Sequence, residues 1–214
     1  MDKNLHDYRK SYEKGSLTED TVLKNPLEQF ATWFVDAEKT PTVEEPNAMT
    51  LSTVDTQGVP KARVVLLKEC TQEGFVFYTN YTSGKAQAIA QNNKVCISFF
   101  WPSLERQIII TGMAVKISEE KSIAYFNKRP RESQLGAVVS DQSTSIDSRE
   151  ALEEKLLDLE KQYQTKPIVK PAHWGGYLIQ PTSYEFWQGR SSRLHDRIKY
   201  TKINNSWNIG RLQP

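Results

Sequence analysis

The chain has 214 residues, of which 28 are basic and 26 acidic, and its net charge of +2 argues against a nucleic-acid-binding protein that depends on bulk positive charge. Its two cysteines, Cys70 and Cys96, are too few for a disulfide scaffold and lie in apolar runs, which predicts reduced thiols in the core. No run of about 18 apolar residues occurs, and the amino-terminal segment has no apolar stretch, so we expect neither a membrane span nor a secretory signal. These features predict a globular protein of the cytoplasm.

The first predicted elements are an arm and a helix. Residues 1–24 are polar and show no sustained periodicity, so we predict a mobile amino-terminal arm followed by a single domain over residues 25–214. The helix is predicted to begin at Asn25, which acts as a cap, with Pro26 at the first helical position. An apolar stripe runs from Leu27 to Ala37, and Thr40-Pro41 ends the helix.

A β-rich section follows the first helix. Asp55-Thr56-Gln57-Gly58 has the composition of a hairpin turn, and Ser83–Gln91 is predicted to form a short helix between strands. The predicted strands are Ala48–Val54, Pro60–Lys68, Gly74–Thr79, Lys94–Trp101 and Gln107–Ile117.

The last part of the chain is predicted to contain helices and then strands. One helix begins at Ser118, Pro130 separates it from a second, and Asp147 or Ser148 caps a third after a polar loop. Many strands, few helices and no alternation of strand and helix favour a closed or split antiparallel barrel. The four predicted closing strands are Trp174–Gln180, Ser183–Gln188, Arg193–Lys202 and Ser206–Arg211.

The most distinctive segment is E-F-W-Q-G-R-S-S-R-L-H-D-R at residues 185–197. It has the pattern of a strand, a polar turn and a second strand. Because side chains alternate along a strand, Arg193, His195 and Arg197 are predicted to project from one side, beside Trp187. Two guanidinium groups and an imidazole on one surface suit an anionic, planar, aromatic ligand. Taken alone, such an alternation is more often a solvated strand face.

A basic residue stands at each end of the apolar run Arg63-Val64-Val65-Leu66-Leu67-Lys68. Charges flank buried strands routinely, and alone this pattern favours that ordinary explanation. Residues 63 and 68 have opposite parity and should face opposite sides of a strand. Both can reach one ligand only if the strand bulges or if Lys68 lies beyond its end.

A second phosphate-binding candidate lies where a strand runs into a helix at Ser83-Gly84-Lys85. The start of a helix exposes unpaired N–H groups and the positive end of its dipole, so a phosphate could dock there with Lys85. The three residues are similar to the end of a Walker A loop. However, Thr79 replaces its first glycine and Ala86 replaces the hydroxyl residue that holds magnesium, which excludes a nucleotide hydrolase of that type.

The three histidines, His6, His173 and His195, are scattered, and the sequence has no His-x-x-x-His or Cys-x-x-Cys pair. Zinc sites need clustered ligands with characteristic spacing, so we predict no metal site. Outside its motif, His195 would more often be structural than catalytic.

The string at residues 185–197 closely resembles the signature of the pyridoxamine 5'-phosphate oxidases. Arg63–Lys68 is similar to the family's R-x-V-L-L-K segment, and Tyr125, Arg129 and Ser133 fit its Y-x-x-x-R-x-x-x-S pattern. The resemblance extends over essentially the whole chain from Arg9. It implies a mainly β fold with flanking helices, a single-domain, antiparallel and Greek-key-like FMN-binding split barrel.

The resemblance also implies roles for individual residues. Gly84 departs from the family pattern, which has a basic residue there, so one charged contact to the flavin phosphate is lost. Tyr125, Arg129 and Ser133 would grip the substrate phosphate, converging from two helices that meet at Pro130. For flavin mononucleotide (FMN), the implied contacts are Arg63, Val64, Lys68, Tyr78, Thr79, Ser83, Gly84, Lys85, Gln107, Gln142, Ser143, Trp187 and Arg197. For the substrate, they are Arg9, Tyr12, Lys68, Tyr125, Arg129, Ser133, Leu194 and the two candidate catalytic residues, Arg193 and His195.

The implied function is FMN-dependent oxidation of pyridoxamine 5'-phosphate and pyridoxine 5'-phosphate to pyridoxal 5'-phosphate. Hydride passes to the flavin and O2 is reduced to H2O2, by a homodimer that shares each flavin across its interface. Two alternatives remain open: a split-barrel flavin reductase, and a non-catalytic protein that binds flavin or pyridoxal phosphate. The motif around His195 and the set that includes Arg129 favour the oxidase, because both serve a phosphorylated pyridine.

Overall fold

The computed structural model describes residues 3–204 and 206–214, and within them the chain forms five α-helices and nine strands. The helices are α1 (Pro26–Glu38), α2 (Gly84–Gln91), α3 (Glu119–Lys128), α4 (Arg131–Val139) and α5 (Arg149–Tyr163). The strands are β1 (Ala48–Val54), β2 (Pro60–Leu66), β3 (Glu69–Thr71), β4 (Gly74–Asn80), β5 (Lys94–Trp101), β6 (Arg106–Lys116), β7 (Trp174–Gln188), β8 (Asp196–Ile203) and β9 (Ser206–Leu212).

All nine strands belong to one sheet. Their order is β2-β1-β5-β6-β7-β4-β3, with β8 paired to β7 and β9 paired to β8. The pairs β3–β4, β4–β7, β7–β8 and β8–β9 are antiparallel. The turn between β1 and β2 forms as predicted, because the Gly58 N–H donates to the Asp55 carbonyl (3.0 Å) and Gly58 has the positive φ of 78° that glycine tolerates.

Local capping explains where the helices begin. The Asn25 side chain accepts from the Leu27 N–H, and Pro26 occupies the first helical position of α1, as predicted. Ser118 and Ser148 cap α3 and α5 in the same manner. Arg129 and Pro130 stand between α3 and α4, so the predicted break is confirmed.

The chain forms two compact units, and β1, β5, β6 and β7 contribute residues to both. We call the first the signature unit; it comprises the chain up to Thr50, Cys96–Gly112 and Pro181–Pro214. Its core is aromatic: the rings of Trp33 and Phe186 lie 5.3 Å apart edge to face, and those of Phe186 and Tyr200 lie 5.5 Å apart.

The second unit, which we call the pocket unit, comprises Leu51–Val95 and Met113–Gln180. One of its buried clusters consists of Phe126, Leu135, Ile168 and Trp174, from α3, α4, a loop and β7. Three apolar residues of α5, Leu156, Leu159 and Tyr163, pack against this cluster. This packing fixes α3 and α4 on one side of β7.

Two predicted strands are a single strand. β7 runs without interruption through Pro181, where the sequence indicated a break. Its first half pairs with β4 up to Ile179, and its second half pairs with β8 from Ser183 onward. Pro181 lies between these two paired stretches, so its missing N–H costs no hydrogen bond to β4 or β8.

Two further predictions need correction. The predicted core thiols are not in the core: Cys70 is exposed on the edge strand β3, which the sequence did not reveal, and Cys96 is half-buried. The predicted strand from Arg193 begins only at Asp196. Residues Ser191–Arg193 form a short 3-10 turn, and positive φ angles of 55° at Ser192 and 61° at Arg193 are incompatible with a strand.

Candidate functional site

The pocket unit contains a cavity of about 760 Å3, which is within the size range of small-molecule sites. Five basic residues line it, and none of its described lining residues is acidic. The predicted site residues that line it are Arg63, Val64, Lys68, Tyr78, Thr79, Lys85, Tyr125, Arg129, Ser133 and Gln142. The sequence motifs therefore identified side chains from four separate parts of the chain, at residues 63–68, 78–85, 125–133 and 142, that meet at one place.

Lys85 lies in the first turn of α2 and lines this cavity. The Ser83 side chain accepts from the Ala86 N–H and so caps the helix. The Lys85 ammonium donates to Gln142 Oε1 (2.6 Å) and to Thr79 Oγ1 (3.2 Å), which are both neutral acceptors. Burial, and then the charge of Arg63, lower the pKa of Lys85 to about 8. Lys85 pairs with no carboxylate among the described residues, and such a cation at a helix start is suited to bind an anion.

Arg63 projects from β2 and is held by β1. Its Nη1 atom donates to Thr53 Oγ1 (2.8 Å) and to the Leu51 carbonyl (3.2 Å). Lys68 lines the same cavity because β2 ends at Leu66 and Lys68 lies beyond it, where its N–H donates to the Val76 carbonyl (2.8 Å). The sequence left two explanations open, a bulge in the strand or a position of Lys68 beyond its end. The structure shows Lys68 beyond the end of β2.

The loop after α4 forms part of the wall near α2. Asn80 Nδ2 donates to the Ser140 carbonyl (3.1 Å), and Gln142 accepts from Lys85, so the polar loop is tied to the end of β4. Ser143, which has a φ of 76°, stands next to Gly84: a Cβ added at Gly84 would lie 3.9 Å from Ser143 Oγ. Ser83, Gly84 and Ser143 are thus close to the cavity without lining it.

The cavity is also lined by Tyr125 from α3, Arg129 from the break and Ser133 from α4. The three side chains converge from two helices that meet at Pro130, as predicted. Arg129 Nη1 is buried and has no hydrogen-bond partner among the described residues. Burial lowers the pKa of the Arg129 guanidinium, which nevertheless stays protonated. A buried, unpaired guanidinium nitrogen is costly unless a ligand anion satisfies it.

A stack of aromatic rings supports Arg129. Its guanidinium carbon lies 4.7 Å from the centre of the Trp174 ring. Tyr78 is stacked between Trp174 (5.3 Å) and Tyr125 (3.9 Å). The ring of Trp174 supports the guanidinium without accepting a hydrogen bond from Nη1, so this nitrogen can donate to a ligand.

The cavity also contains residues that sequence reasoning missed, namely Trp174, Lys128 and Asn80. Lys128 is the last residue of α3, next to Arg129, and a basic neighbour of a predicted phosphate ligand was the available signal. Trp174 lies far from Arg129 in the sequence, so no local pattern could indicate their contact.

The remaining predicted residues belong mostly to the signature unit. Trp187 and His195 have ring centres 4.7 Å apart, and Tyr12 contacts both, at 5.8 Å and 5.7 Å. His195 Nδ1 accepts from the Arg190 N–H (3.1 Å). Leu194 is exposed.

The predicted alternation of Arg193, His195 and Arg197 on one strand face is wrong, because the first two precede β8. Arg197 is on β8 opposite Trp187. Its Nε atom donates to Glu185 Oε1 (2.8 Å) and its Nη1 atom to the Gln213 carbonyl (2.7 Å).

Two other predicted residues lie elsewhere in this unit. Gln107 Nε2 donates to Ser98 Oγ (3.2 Å) between β6 and β5. Arg9 Nε donates to the His6 carbonyl (2.9 Å) in the exposed arm.

Across residues 3–204 and 206–214, no group of three or more His, Cys, Asp or Glu side chains is arranged to hold a metal ion. Within the same residues, no α-helix combines the length and the apolar character that crossing a bilayer requires.

The fold and the cavity define a class of protein, a mainly antiparallel split barrel with flanking helices and a basic pocket. A family model described as pyridoxamine 5'-phosphate oxidase matches residues 35–163, and one described as the pyridoxine 5'-phosphate oxidase C-terminal dimerisation region matches residues 174–214. The chain belongs to the pyridoxamine 5'-phosphate oxidase family. The predictions of this family, of an enzyme and of the split-barrel fold are confirmed.

Similar proteins cover the whole chain. A pyridoxine/pyridoxamine 5'-phosphate oxidase of Christiangramia forsetii is 55% identical over all of both chains, and one of Flavobacterium psychrophilum is 54% identical over 99% of this chain and 100% of its own. Among solved structures, PhzG from Burkholderia lata in complex with tetrahydrophenazine-1-carboxylic acid has a TM-score of 0.85 at 28% identity, over 91% of this chain and 95% of its own.

Proposed function

We propose that the protein oxidises pyridoxamine 5'-phosphate and pyridoxine 5'-phosphate to pyridoxal 5'-phosphate, with FMN as cofactor and O2 as electron acceptor. The observation that carries the proposal is a cavity lined by five basic and no acidic described residues, among them Lys85 and Arg129. A phosphorylated flavin and a phosphorylated substrate together need two anion sites. The names of the relatives at 54–55% identity support the same activity.

The residues around Lys85 fit the phosphate of FMN. Ser83 and Lys85 are at the start of α2, Arg63 supplies a second cation, and Thr79 and Gln142 hold the ammonium in place by neutral hydrogen bonds. Phosphate binding there replaces weak dipolar partners of Lys85 with a dianion, which is a stronger, charge-assisted contact.

The residues around Arg129 fit the phosphate of the substrate. The buried Nη1 atom of Arg129 needs an acceptor, and the hydroxyls of Tyr125 and Ser133 line the same cavity. Anchoring the phosphate at this end orients the pyridine ring, and a fixed approach of the reacting carbon removes much of the entropic cost of the reaction.

FMN held by these residues would supply the redox chemistry, a two-electron oxidation at C4' of the substrate with O2 as the final acceptor and H2O2 as its product. The amine substrate then yields ammonia and the aldehyde by reaction with water. The protein's residues bind and orient. We assign Lys68 to the place where flavin and substrate meet, and Arg193 and His195 to the substrate ring. No general base is assigned, because the substrate's lone pair assists departure of the hydride.

We also propose that the enzyme works as a homodimer in the cytoplasm and that each flavin is shared between two copies. The match of residues 174–214 to a dimerisation region supports the dimer, and the free thiols of Cys70 and Cys96 are consistent with a reducing compartment. In this proposal Gln107, Trp187 and Arg197 contact the flavin at the shared site.

An aerobic assay tests the function. Purified protein reconstituted with FMN is incubated with pyridoxamine 5'-phosphate, and H2O2 and pyridoxal 5'-phosphate are both quantified. The proposal predicts one H2O2 for each aldehyde formed. Oxidation of NADH without consumption of pyridoxamine 5'-phosphate would instead identify a flavin reductase, and flavin binding without turnover would identify a non-catalytic binding protein.

Restoring the family's basic residue at position 84 is expected to tighten flavin binding. A Cβ at Gly84 meets only Ser143 at ordinary contact distance, so Gly84→Arg fits the structure. One added charge-assisted contact is worth about 1.5 kcal/mol, or roughly tenfold in Kd for FMN, measured by quenching of flavin fluorescence. Gly84→Ala is the control for changed helix propensity. An arginine variant that binds FMN no more tightly than the alanine variant contradicts the prediction.

Arg193→Ala is expected to reduce kcat/KM by about 100-fold, while the protein still purifies with its yellow flavin, since a lost contact to a charged group costs up to about 3 kcal/mol. Arg149→Ala, which removes an exposed arginine from α5, is the control and should change neither property. Loss of the flavin from Arg193→Ala would show that Arg193 serves the cofactor rather than the substrate.

A further inference from the structure

Glu105 is a buried carboxylate that has no part in the proposed function. It follows a short 3-10 turn, Pro102–Leu104, and has the left-handed backbone conformation (φ 55°, ψ 37°) that non-glycine residues seldom adopt. Its side chain is only 2% exposed. A strained residue with a buried charge is maintained only where the surrounding contacts favour it.

Those contacts come from the amino-terminal arm. Glu105 Oε2 accepts from the N–H groups of Glu13 (2.8 Å) and Lys14 (3.0 Å), and Oε1 pairs with the Lys10 ammonium (3.2 Å). Burial opposes ionisation of Glu105, but the bonds from Lys14, Lys10 and Glu13 outweigh it and lower the pKa of the carboxyl group. The carboxylate therefore holds the backbone of the arm directly.

The main chain of Glu105 also holds the start of the turn at residues 189–195, which we call the signature turn. Its carbonyl accepts from the Gly189 N–H (2.7 Å) and from Gln188 Nε2 (3.2 Å). Tyr12, which directly precedes Glu13 in the arm, packs closely on Gly189: a Cβ added at Gly189 would lie 2.8 Å from Tyr12 Cγ. One residue thus fixes the arm and the signature turn against each other.

We propose that Glu105 is a positioning residue: its carboxylate clasps residues 13–14 and thereby seats Tyr12 against His195 and Trp187. The proposal rests on the proposed function, which assigns His195 to the substrate ring, and on the substrate contact that the family resemblance implies for Tyr12. The arm has a second attachment at Leu17, whose N–H donates to Asp196 Oδ2 (3.0 Å). The arm is therefore anchored on both sides of the Lys14–Gly15 peptide bond, and the carboxylate of Glu105 provides the anchor nearer to Tyr12.

Limited proteolysis tests the clasp without reference to activity. The intact protein is digested with trypsin, and cleavage after Lys14 is followed by mass spectrometry. Glu105→Gln is expected to accelerate this cleavage by at least about tenfold, because local opening of the arm becomes easier. Glu154→Gln is the matched control, since it makes the same chemical change at an exposed glutamate of α5 and leaves both the Glu105 carboxylate and the residues around the cleaved bond unchanged. Equal cleavage rates in the two variants would overturn the clasp.

Steady-state kinetics test the consequence for the site. Glu105→Gln is expected to raise KM for pyridoxamine 5'-phosphate about tenfold, with kcat changed less than about twofold and flavin content unchanged. Adding Tyr12→Ala to Glu105→Gln should raise KM no further than Tyr12→Ala alone, since both act through the same contact. Multiplying effects would show that Glu105 does not act through Tyr12, and would overturn the positioning role.

A folding control keeps the test decisive. If Glu105→Gln does not fold, Glu105→Asp replaces it, because aspartate tolerates the left-handed conformation but its shorter side chain cannot reach the arm. Absence of any oxidation by the wild-type holoenzyme would reject the proposed function, whereas the proteolysis result would still decide the clasp.

Discussion

Replacement of Arg129 with methionine is expected to raise KM for pyridoxamine 5'-phosphate by about 100-fold. The guanidinium has a buried Nη1 atom without a partner among the described residues. The Trp174 ring supports the guanidinium without accepting a hydrogen bond from Nη1, so this nitrogen can donate to a phosphate. Loss of charge-assisted bonds to a phosphate costs about 1.5–3 kcal/mol, and tenfold in binding corresponds to about 1.4 kcal/mol. The measurement is steady-state kinetics with the flavin content determined in parallel.

Two comparisons separate this role from a structural one. Lys121→Met removes an exposed cation from α3, the helix that ends next to Arg129, and should leave KM unchanged. Pyridoxamine without the phosphate should be oxidised slowly by both wild type and Arg129→Met, with similar kcat/KM. A variant that loses its flavin, or loses activity equally on both substrates, would show that Arg129 supports the fold or the cofactor instead.

The affinity for FMN is expected to fall as pH rises through about 8. The pKa of Lys85 is lowered to about 8 by burial and by Arg63, so its ammonium is charged below that pH and neutral above it. The flavin phosphate is a dianion throughout this window, because its second pKa is about 6. The charged form of Lys85 binds that dianion more strongly, so Kd should rise by up to about tenfold per pH unit above 8.

Lys85→Met gives the matched test of the pH effect. It should weaken FMN binding at pH 7 by about 30-fold and abolish the dependence near pH 8, since the titrating group is gone. Lys94→Met, at the exposed start of β5, should retain both the affinity and the pH dependence of the wild type. An unchanged pH dependence in Lys85→Met would assign the titration to another group.

Local sequence patterns predicted those parts of the fold that depend on short-range chemistry. Asn25, Ser83 and Ser118 cap helices where their side chains accept from the first turn, and Asp55 and Gly58 form the predicted hairpin turn. Each of these features is decided within four residues along the chain. For the same reason, the break at Pro130 was evident from sequence.

Features set by distant partners could not be predicted. Pro181 is compatible with a continuous β7 because the strand changes partners there, from β4 to β8. Arg193 lies outside the strand because it and Ser192 both have left-handed backbone conformations. Alternation along the sequence carries no information about any of these pairings.

The candidate site shows the same division. The motifs identified Arg63, Lys85 and Arg129, and the structure brings all three to one cavity. They gave no sign of Trp174, which supports Arg129, or of Glu105, which holds the arm. A supporting residue is recognised by what it contacts, and those contacts join segments far apart in the chain.

Anaerobic mixing of the FMN-loaded protein with pyridoxamine 5'-phosphate is the decisive experiment, because reduction of the flavin requires both anions to occupy the basic cavity at once. The absorbance of the oxidised flavin near 450 nm is followed in a single turnover. We expect complete bleaching with pyridoxamine 5'-phosphate, and bleaching at least about 100-fold slower with equimolar pyridoxamine, which lacks the anchoring phosphate. A flavin that stays oxidised with the phosphorylated amine, or that is reduced equally fast by both amines, would contradict this expectation.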